Sequence, residues 1–274
     1  MKIGYQGIKG SYSETALIEV FGEKVTTQGY DDFYEVHKAL LAGEIEIAFL
    51  PVQNSTAGTI PENQDFLYEE EVEVIGEYKY EVKHTLIGIK KSTIQDIQTV
   101  ISHPQALRQC KNFLQQHKIK AKTFYDTAGA ARKLTEINKK EIGAIASKRC
   151  AEIYDLEILA EEIQTIKNNT TKFYIVKKKN KKLNEPQPIT KKNQGKILIA
   201  FKTKNKPGAL LKCLEALALY EINMTKLESR PNPQEIWEYI FYIDLDVTEN
   251  EKDLEKGLKI VKDLSVGFKI IGRY

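Results

Sequence analysis

The sequence predicts an α/β protein in two parts, and three observations carry that reading. Strand and helix patterns alternate from residue 2 to about residue 164. A polar, lysine-rich stretch containing Pro-Gln-Pro follows. Residues 195–274 then read strand, helix, strand, strand, helix, strand. That last order is the one of a ferredoxin-like βαββαβ sandwich. At 274 residues, the chain has the length of about two domains.

The first part opens with KIGY (2–5), a short strand running into a glycine loop. SYSETALIEVFG (11–22) follows as a helix, with Ser11 and Glu14 at capping-box spacing and Gly22 as its stop. VTTQGY (25–30) reads as extended. DDFYEVHKALLAG (31–43) sets Phe33, Val36 and Leu40 on one helical face, with Asp31 as cap and Gly43 as terminator. The apolar run IEIAFLP (45–51) is a buried strand. The alternation favours a largely parallel sheet.

The pattern then restarts. VEVIGEYKYEVKHTLIGIK (72–90) stays extended far longer than one ordinary strand. Next come TVIS (99–102), a helix from Pro104 to about Gln116 capped by Ser102, and IKAKTFY (119–125). A helix from Thr127 to about Asn138, IGAIAS (142–147), a short helix and LEILAEEIQ (156–164) complete it. A long extended crossover between two α/β lobes implies a hinged pair with a cleft. The lysines of 177–194 read as a solvated linker. After it, Pro207 suits a first helical position.

Composition excludes several classes. A hydrophobic content of 42% supports real cores, and 41 basic against 38 acidic residues leave +3, far from the excess of a nucleic-acid binder. The 3 cysteines are scattered, with no CxxC or Cys/His cluster, so neither a disulfide framework nor a metal site is indicated. No secretory pattern opens the chain, and no apolar run approaches the roughly 20 residues of a membrane span. The expectation is a soluble cytoplasmic protein without membrane or nucleic-acid partners.

Chemistry concentrates at five polar junctions. GYQGIKGSY (4–12) lacks dinucleotide spacing, but delivers the chain to a helix N-terminus; it suits an anion site or an ordinary turn equally. PVQNSTAGTI (51–60) lies at the carboxyl end of a buried strand, where open α/β sheets hold ligands. In SHPQALRQCKNFL (102–114), His103 beside a cap reads as structural. DTAGAARKL (126–134) caps with Thr127 and keeps its first turn small. NNTTKF (168–173) supplies amides, hydroxyls and a lysine ahead of an apolar run. With 4 histidines and no Ser-His-Asp arrangement, the assembled site is one of hydroxyls, amides and helix N-termini, fit for a small carboxylated substrate.

Together these stretches resemble prephenate dehydratase, and the resemblance runs through nearly the whole chain. Gly7 to Glu14 is similar to the family's opening glycine loop, and Pro51 to Gly58 to its proline–aliphatic–Glu-Asn-Ser segment. Ser102 to Leu107 and Asp126 to Ala131 resemble two later helix starts, and Asn169-Thr170-Thr171-Lys172-Phe173 its Asn-x-Thr-Arg-Phe motif. Gly208-Ala209-Leu210 and Glu228-Ser229-Arg230-Pro231 look like the two phenylalanine-binding segments of an ACT domain. Lys172 stands for the family's arginine, Gln53 for its glutamate and Thr165 for its aspartate.

The resemblance implies a fold, an activity and a regulation. The fold is α/β, with a two-lobed catalytic domain like type II periplasmic binding proteins plus a ferredoxin-like ACT domain. The catalytic domain is expected over 1–178, with lobe one about 1–76 plus 160–178 and lobe two about 77–159. A linker is expected over 179–194 and the ACT domain over 195–274. The implied activity is that of a monofunctional lyase making phenylpyruvate from prephenate without a cofactor or metal. Thr171 is the implied catalytic residue, donating to the leaving hydroxyl. Ser11, Asn54, Ser55, Thr127, Asn169 and Lys172 are implied to bind the dianionic substrate. L-phenylalanine is the implied allosteric inhibitor, bound at Gly208, Ala209, Leu210, Glu228, Ser229, Arg230 and Pro231 between copies in a homodimer or homotetramer. Arogenate dehydratase, or a catalytically silent phenylalanine-sensing protein, are the alternative readings.

Overall fold

A computed structural model describes residues 1–183, 195–232, 235, 238–247 and 251–274, so most of the expected linker (184–194) lies outside the described residues. Two compact units form: Met1–Ile60 with Tyr78–Phe173, and Pro61–Glu77 with Tyr174–Tyr274. The break after Glu77 lies next to the boundary expected at about residue 76, whereas the break after Phe173 precedes the expected 178 and residues 61–77 leave the first lobe. Pro61–Glu77 and Tyr174–Lys178 group with the C-terminal residues because their contacts lie there. Val74 pairs in parallel with Gly272, the Tyr174 hydroxyl donates to the buried Asp244 carboxylate at 2.8 Å, and Lys196 pairs with buried Glu77.

In the first unit, strand Lys2–Gln6 pairs in parallel with Thr26–Tyr30 on one side and Ile47–Asn54 on the other. The first residues of strand Thr170–Lys178, through Phe173, also belong to this unit. Every residue from Ile47 through Val52 is buried, as a continuous apolar strand requires, and Phe49 stacks on Phe173 with ring centroids 4.5 Å apart. Helix Tyr12–Phe21 starts at Ser11, whose hydroxyl accepts from Glu14 N. The Glu14 carboxylate, itself buried, reaches one residue beyond a standard capping box and accepts from Gly10 N at 2.7 Å. Helix Phe33–Ala42 is capped by Asp32, not by the expected Asp31.

A second sheet in this unit has the order Glu157–Ala160, Thr85–Gly88, Ile142–Ala146, Thr99–Ser102, Lys120–Thr123. Its first two pairings are antiparallel and its last two parallel, so the sheet is mixed. The long extended stretch 72–90 is two strands, Val72–Glu81 and Thr85–Gly88. Three further expectations are corrected by side-chain geometry. Ser102 is buried and donates to Ile145 O at 2.6 Å, so His103 caps helix Pro104–Gln109 in its place. That helix ends at Cys110, and Lys111–Gln116 continues as a separate one. Asp126 caps helix Thr127–Ile137, with Thr127 as its first residue.

The second unit holds strands in the order Asn223–Pro231, Tyr239–Asp246, Lys196–Lys202, Gly267–Arg273, then Val72–Glu81. The first three of these pairings are antiparallel. Helices Ala209–Leu219 and Glu251–Leu264 pack with the strands around Ile199, Phe201, Leu217, Ile243 and Leu258. Pro207 lies in the turn before the helix; Gly208 is the N-cap at φ 75°, a left-handed conformation that costs glycine little.

Candidate active site

A cavity of about 300 Å³ opens in the first unit, lined from both of its sheets. Helix starts border it: Ser11, Tyr12 and Ser13 from one, Asp126 and Thr127 from another, His103 and Gln105 from a third. The first N-terminal turn of an α-helix presents unpaired N–H groups and the positive end of its dipole. Such a lining favours an anion without a side-chain cation, and neither lysine nor arginine is among the lining residues.

The first helix start is held by the opposite sheet's short helix. Ser147 Oγ donates to Gly10 O at 2.6 Å, and Cys150 Sγ approaches the same oxygen at 3.1 Å. Burial pushes the Cys150 thiol up to about 11 and the Cys110 thiol up to about 12, so both stay protonated and unreactive at neutral pH. Gly10 sits at φ 88°, with its Cα facing Cys150 so closely that an added Cβ would lie 2.8 Å from Sγ.

Asn54 is the hub. Its Oδ1 accepts from Thr56 N at 3.0 Å, Ala57 N at 2.9 Å and Thr56 Oγ1 at 2.8 Å. Its Nδ2 donates to Asn169 Oδ1 at 2.8 Å and to Thr171 Oγ1 at 2.9 Å. Because backbone N–H groups can only donate, they fix which end of the Asn54 amide is oxygen. Thr171 therefore accepts from Asn54 and keeps its own hydrogen to donate.

Of the expected site residues, Ser11, Asn54, Thr127, Asn169 and Thr171 line the cavity. Lys172 and Ser55 are not among the lining residues. The reason for Lys172 is strand periodicity: Asn169, Thr171 and Phe173 line the cavity, and an intervening residue of an extended chain points to the other face. Ser55 serves the backbone, accepting from Thr170 N at 2.9 Å and donating to Asn168 O at 3.1 Å. Gln53 is not a lining residue either, which lessens the weight of its replacing a glutamate.

Sequence reasoning missed Tyr12, His84, His103, Gln105 and Gln109, all of which line the cavity. Gln105 and Gln109 had a legible signal, since i,i+4 spacing puts them on one helical face, away from Leu107 and Cys110. His103, read as structural, both caps its helix, accepting from Gln105 N at 3.2 Å, and borders the cavity. Burial, then the nearby Arg108, lowers its pKa, with Asp126 opposing. Burial also lowers that of His84, against the hydrogen bond to Gln109. Both rings are thus held neutral near pH 7.

In the second unit, the Glu228 and Arg230 side chains face helix Pro61–Glu69. Gln64 Nε2 donates to Glu228 Oε2 at 3.1 Å, and Arg230 forks onto Asp65 at 2.9 and 3.4 Å. Among the described residues, no helix is long and apolar enough to cross a membrane.

Residues 3–181 match the family described as Prephenate dehydratase. Prephenate dehydratase of Methanocaldococcus jannaschii is 35% identical, with 97% of this chain and 95% of the relative covered. Arogenate dehydratase/prephenate dehydratase 1 of Arabidopsis thaliana is 34% identical, with 100% and 72% covered. Among solved structures, prephenate dehydratase from Staphylococcus aureus superposes with a TM-score of 0.86 at 28% identity, over 100% of both chains. A structure described as GqqA, a novel type of quorum quenching acylase, superposes with a TM-score of 0.88 at 32% identity, over 99% of this chain and 97% of that one. An α/β chain with a hydroxyl-and-amide cavity, matched by this family over residues 3–181 and by a relative over nearly its whole length, belongs to the prephenate dehydratase family.

Proposed function

We propose that this chain converts prephenate to phenylpyruvate, and that Thr171 assists the step. Prephenate loses its ring carboxylate as carbon dioxide, and the electron pair of that C–C bond aromatises the ring. The C–O bond to the ring hydroxyl breaks, and one proton turns the departing hydroxide into water. Aromatisation drives the reaction, so the protein's task is to hold two carboxylates and assist the leaving oxygen.

One observation carries the reading: Thr171 lines the cavity and its Oγ1 accepts from Asn54, which leaves its hydrogen to donate. Donation to a leaving oxygen contributes about 10²–10⁴-fold. The helix starts at Ser11 and Thr127, with Asn169, are the proposed contacts for the carboxylates. Lys172 is left out of these contacts because it does not border the cavity.

Acylase chemistry with Thr171 as nucleophile is disfavoured by the same contact. A threonine nucleophile needs a base to take its proton, and the partner of Thr171 Oγ1 is an amide N–H, which gives one. Arogenate dehydration is the second reading, favoured by relatives named for both substrates.

We further propose that residues 195–274 form an ACT regulatory domain on a two-lobed, binding-protein-like catalytic domain over 1–178. The strand order of the second unit supports the first, and the cavity between two sheets supports the other. L-phenylalanine is the proposed ligand at Gly208–Leu210 and Glu228–Pro231. Strand Asn223–Pro231 is the sheet's edge and leaves Leu227 exposed, which suits pairing with a second copy in a dimer or tetramer.

Phenylpyruvate production from prephenate, with arogenate assayed alongside, tests the whole reading. Turnover of prephenate that collapses in Thr171→Ala supports it; no product from either substrate overturns it.

A further inference from the structure

We propose that His84 is a positioning residue for the dehydration, acting on Thr171 through Gln109, Thr56 and Asn54; this rests on the role of Thr171 given above. The side chains form one continuous hydrogen-bonded chain. Tyr12 Oη lies 2.7 Å from His84 Nδ1, His84 Nε2 lies 2.7 Å from Gln109 Oε1, and Gln109 Nε2 lies 2.7 Å from Thr56 Oγ1. Thr56 Oγ1 is 2.8 Å from Asn54 Oδ1, and Asn54 Nδ2 is 2.9 Å from Thr171 Oγ1.

The direction of the donations follows from the backbone at Asn54 and from a neutral His84 ring. Thr56 N and Ala57 N fix Asn54 Oδ1 as an acceptor, so the Thr56 hydroxyl donates to it. The other neighbour of that hydroxyl, Asn169 Oδ1 at 3.3 Å, is also an acceptor and leaves the direction unchanged. Thr56 Oγ1 must then accept from Gln109 Nε2, which turns Gln109 Oε1 toward His84. The neutral ring must carry its hydrogen on Nε2, leaving Nδ1 to accept from Tyr12, whose other acceptor neighbour, Lys83 O, lies farther off at 3.3 Å. All five links therefore point the same way, toward Thr171. Aligned donors polarise one another, so the chain strengthens the last donor, the Thr171 hydroxyl.

His84 is built to hold one tautomer. It is 2% exposed, its backbone N–H donates to Gln164 Oε1 at 2.9 Å, and the Tyr12 ring meets it edge-on with centroids 5.4 Å apart. His84 also borders the cavity, so the Thr171→Ala background is what separates an effect through the chain from a direct one.

The test is steady-state dehydration of prephenate by the full chain. Unmodified protein, His84→Ala, His84→Gln and Tyr12→Phe are compared, each also in a Thr171→Ala background. His84→Ala is expected to lower kcat about tenfold with KM within about twofold, and to add no further loss once Thr171 is alanine. His84→Gln, which places an N–H near the Nε2 position, is expected to recover most of the rate. Tyr12→Phe, which removes one oxygen and little volume, is expected to lose less than His84→Ala. Equal losses in both backgrounds, or an unchanged kcat, overturn the proposal. Nitrogen NMR of the unmodified protein gives a readout independent of turnover: the Nε2–H tautomer is expected, and Nδ1–H overturns the chain alone. Absence of turnover with Nε2–H present overturns instead the dehydratase assignment, and the positioning role of His84 with it.

Discussion

Asn54 and Thr171 meet through an amide-to-hydroxyl hydrogen bond of 2.9 Å across 117 residues of chain. The bond spends a Thr171 lone pair and leaves its hydrogen to donate. Thr171→Ala should therefore lower kcat by about 10²–10⁴-fold with a smaller effect on KM, while Thr171→Ser keeps much of the rate. Initial rates of phenylpyruvate formation decide it, and a Thr171→Ala enzyme as fast as the unmodified one removes the proposed donor.

Asn54 also carries structure, because its amide satisfies two backbone N–H groups and three side chains. Asn54→Ala should cost about 1–3 kcal/mol of stability in addition to lowering kcat, since buried partners are left unmet. Urea unfolding alongside kinetics separates the two effects. A variant with full stability and full rate contradicts the hub assignment.

The depressed histidines make stability depend on pH. The native state resists protonating His84, whose pKa burial lowers from 6.5, whereas the unfolded chain protonates freely. The stabilising contribution is present above about pH 6.5 and is lost as pH falls through that value toward the lower native pKa. Thermal melts from pH 8 to 5 should show a steeper decline for the unmodified protein than for His84→Gln. Parallel curves would mean that the native ring titrates normally.

Gly10→Ala should destabilise the protein by about 1–3 kcal/mol, because φ 88° suits glycine and an added Cβ would meet Cys150 Sγ at 2.8 Å. Since Gly10 leads into the helix start at Ser11, KM for prephenate should rise as well. Retention of both melting temperature and KM would show that this loop tolerates a side chain.

Gly208→Val should abolish inhibition by phenylalanine while leaving uninhibited turnover intact. Gly208 sits at φ 75° immediately before helix Ala209–Leu219, and a β-branched residue there reshapes the helix start. Rates with and without phenylalanine check it; persistent inhibition would place the ligand elsewhere.

Much of the fold was legible because its signals are local. The apolar run before Asn54 gave a buried strand, and Ser11 with Glu14 gave a helix start. Caps were misplaced by one residue at Asp32, His103 and Asp126, where adjacent polar residues compete and only side-chain reach decides. Lys172 was assigned to the site because a motif names neighbours but not faces; strand alternation separates it from Thr171. The relay was invisible for a different reason. His84 and Gln109 lie 25 residues apart, and Gln109 and Thr56 lie 53 apart, so no local pattern joins them.

The Gln109–Thr56 contact has a further meaning, because it ties a helix packed on one sheet to the loop that ends a strand of the other. If the two walls part, this link breaks along with those of Tyr12 to His84 and Ser147 to Gly10, and the alcohol beyond it loses its reinforcement. Reactivity would then rise only as the walls shut around the ring, so that the scission of carbon from oxygen is timed by enclosure and an unfilled mouth stays chemically quiet.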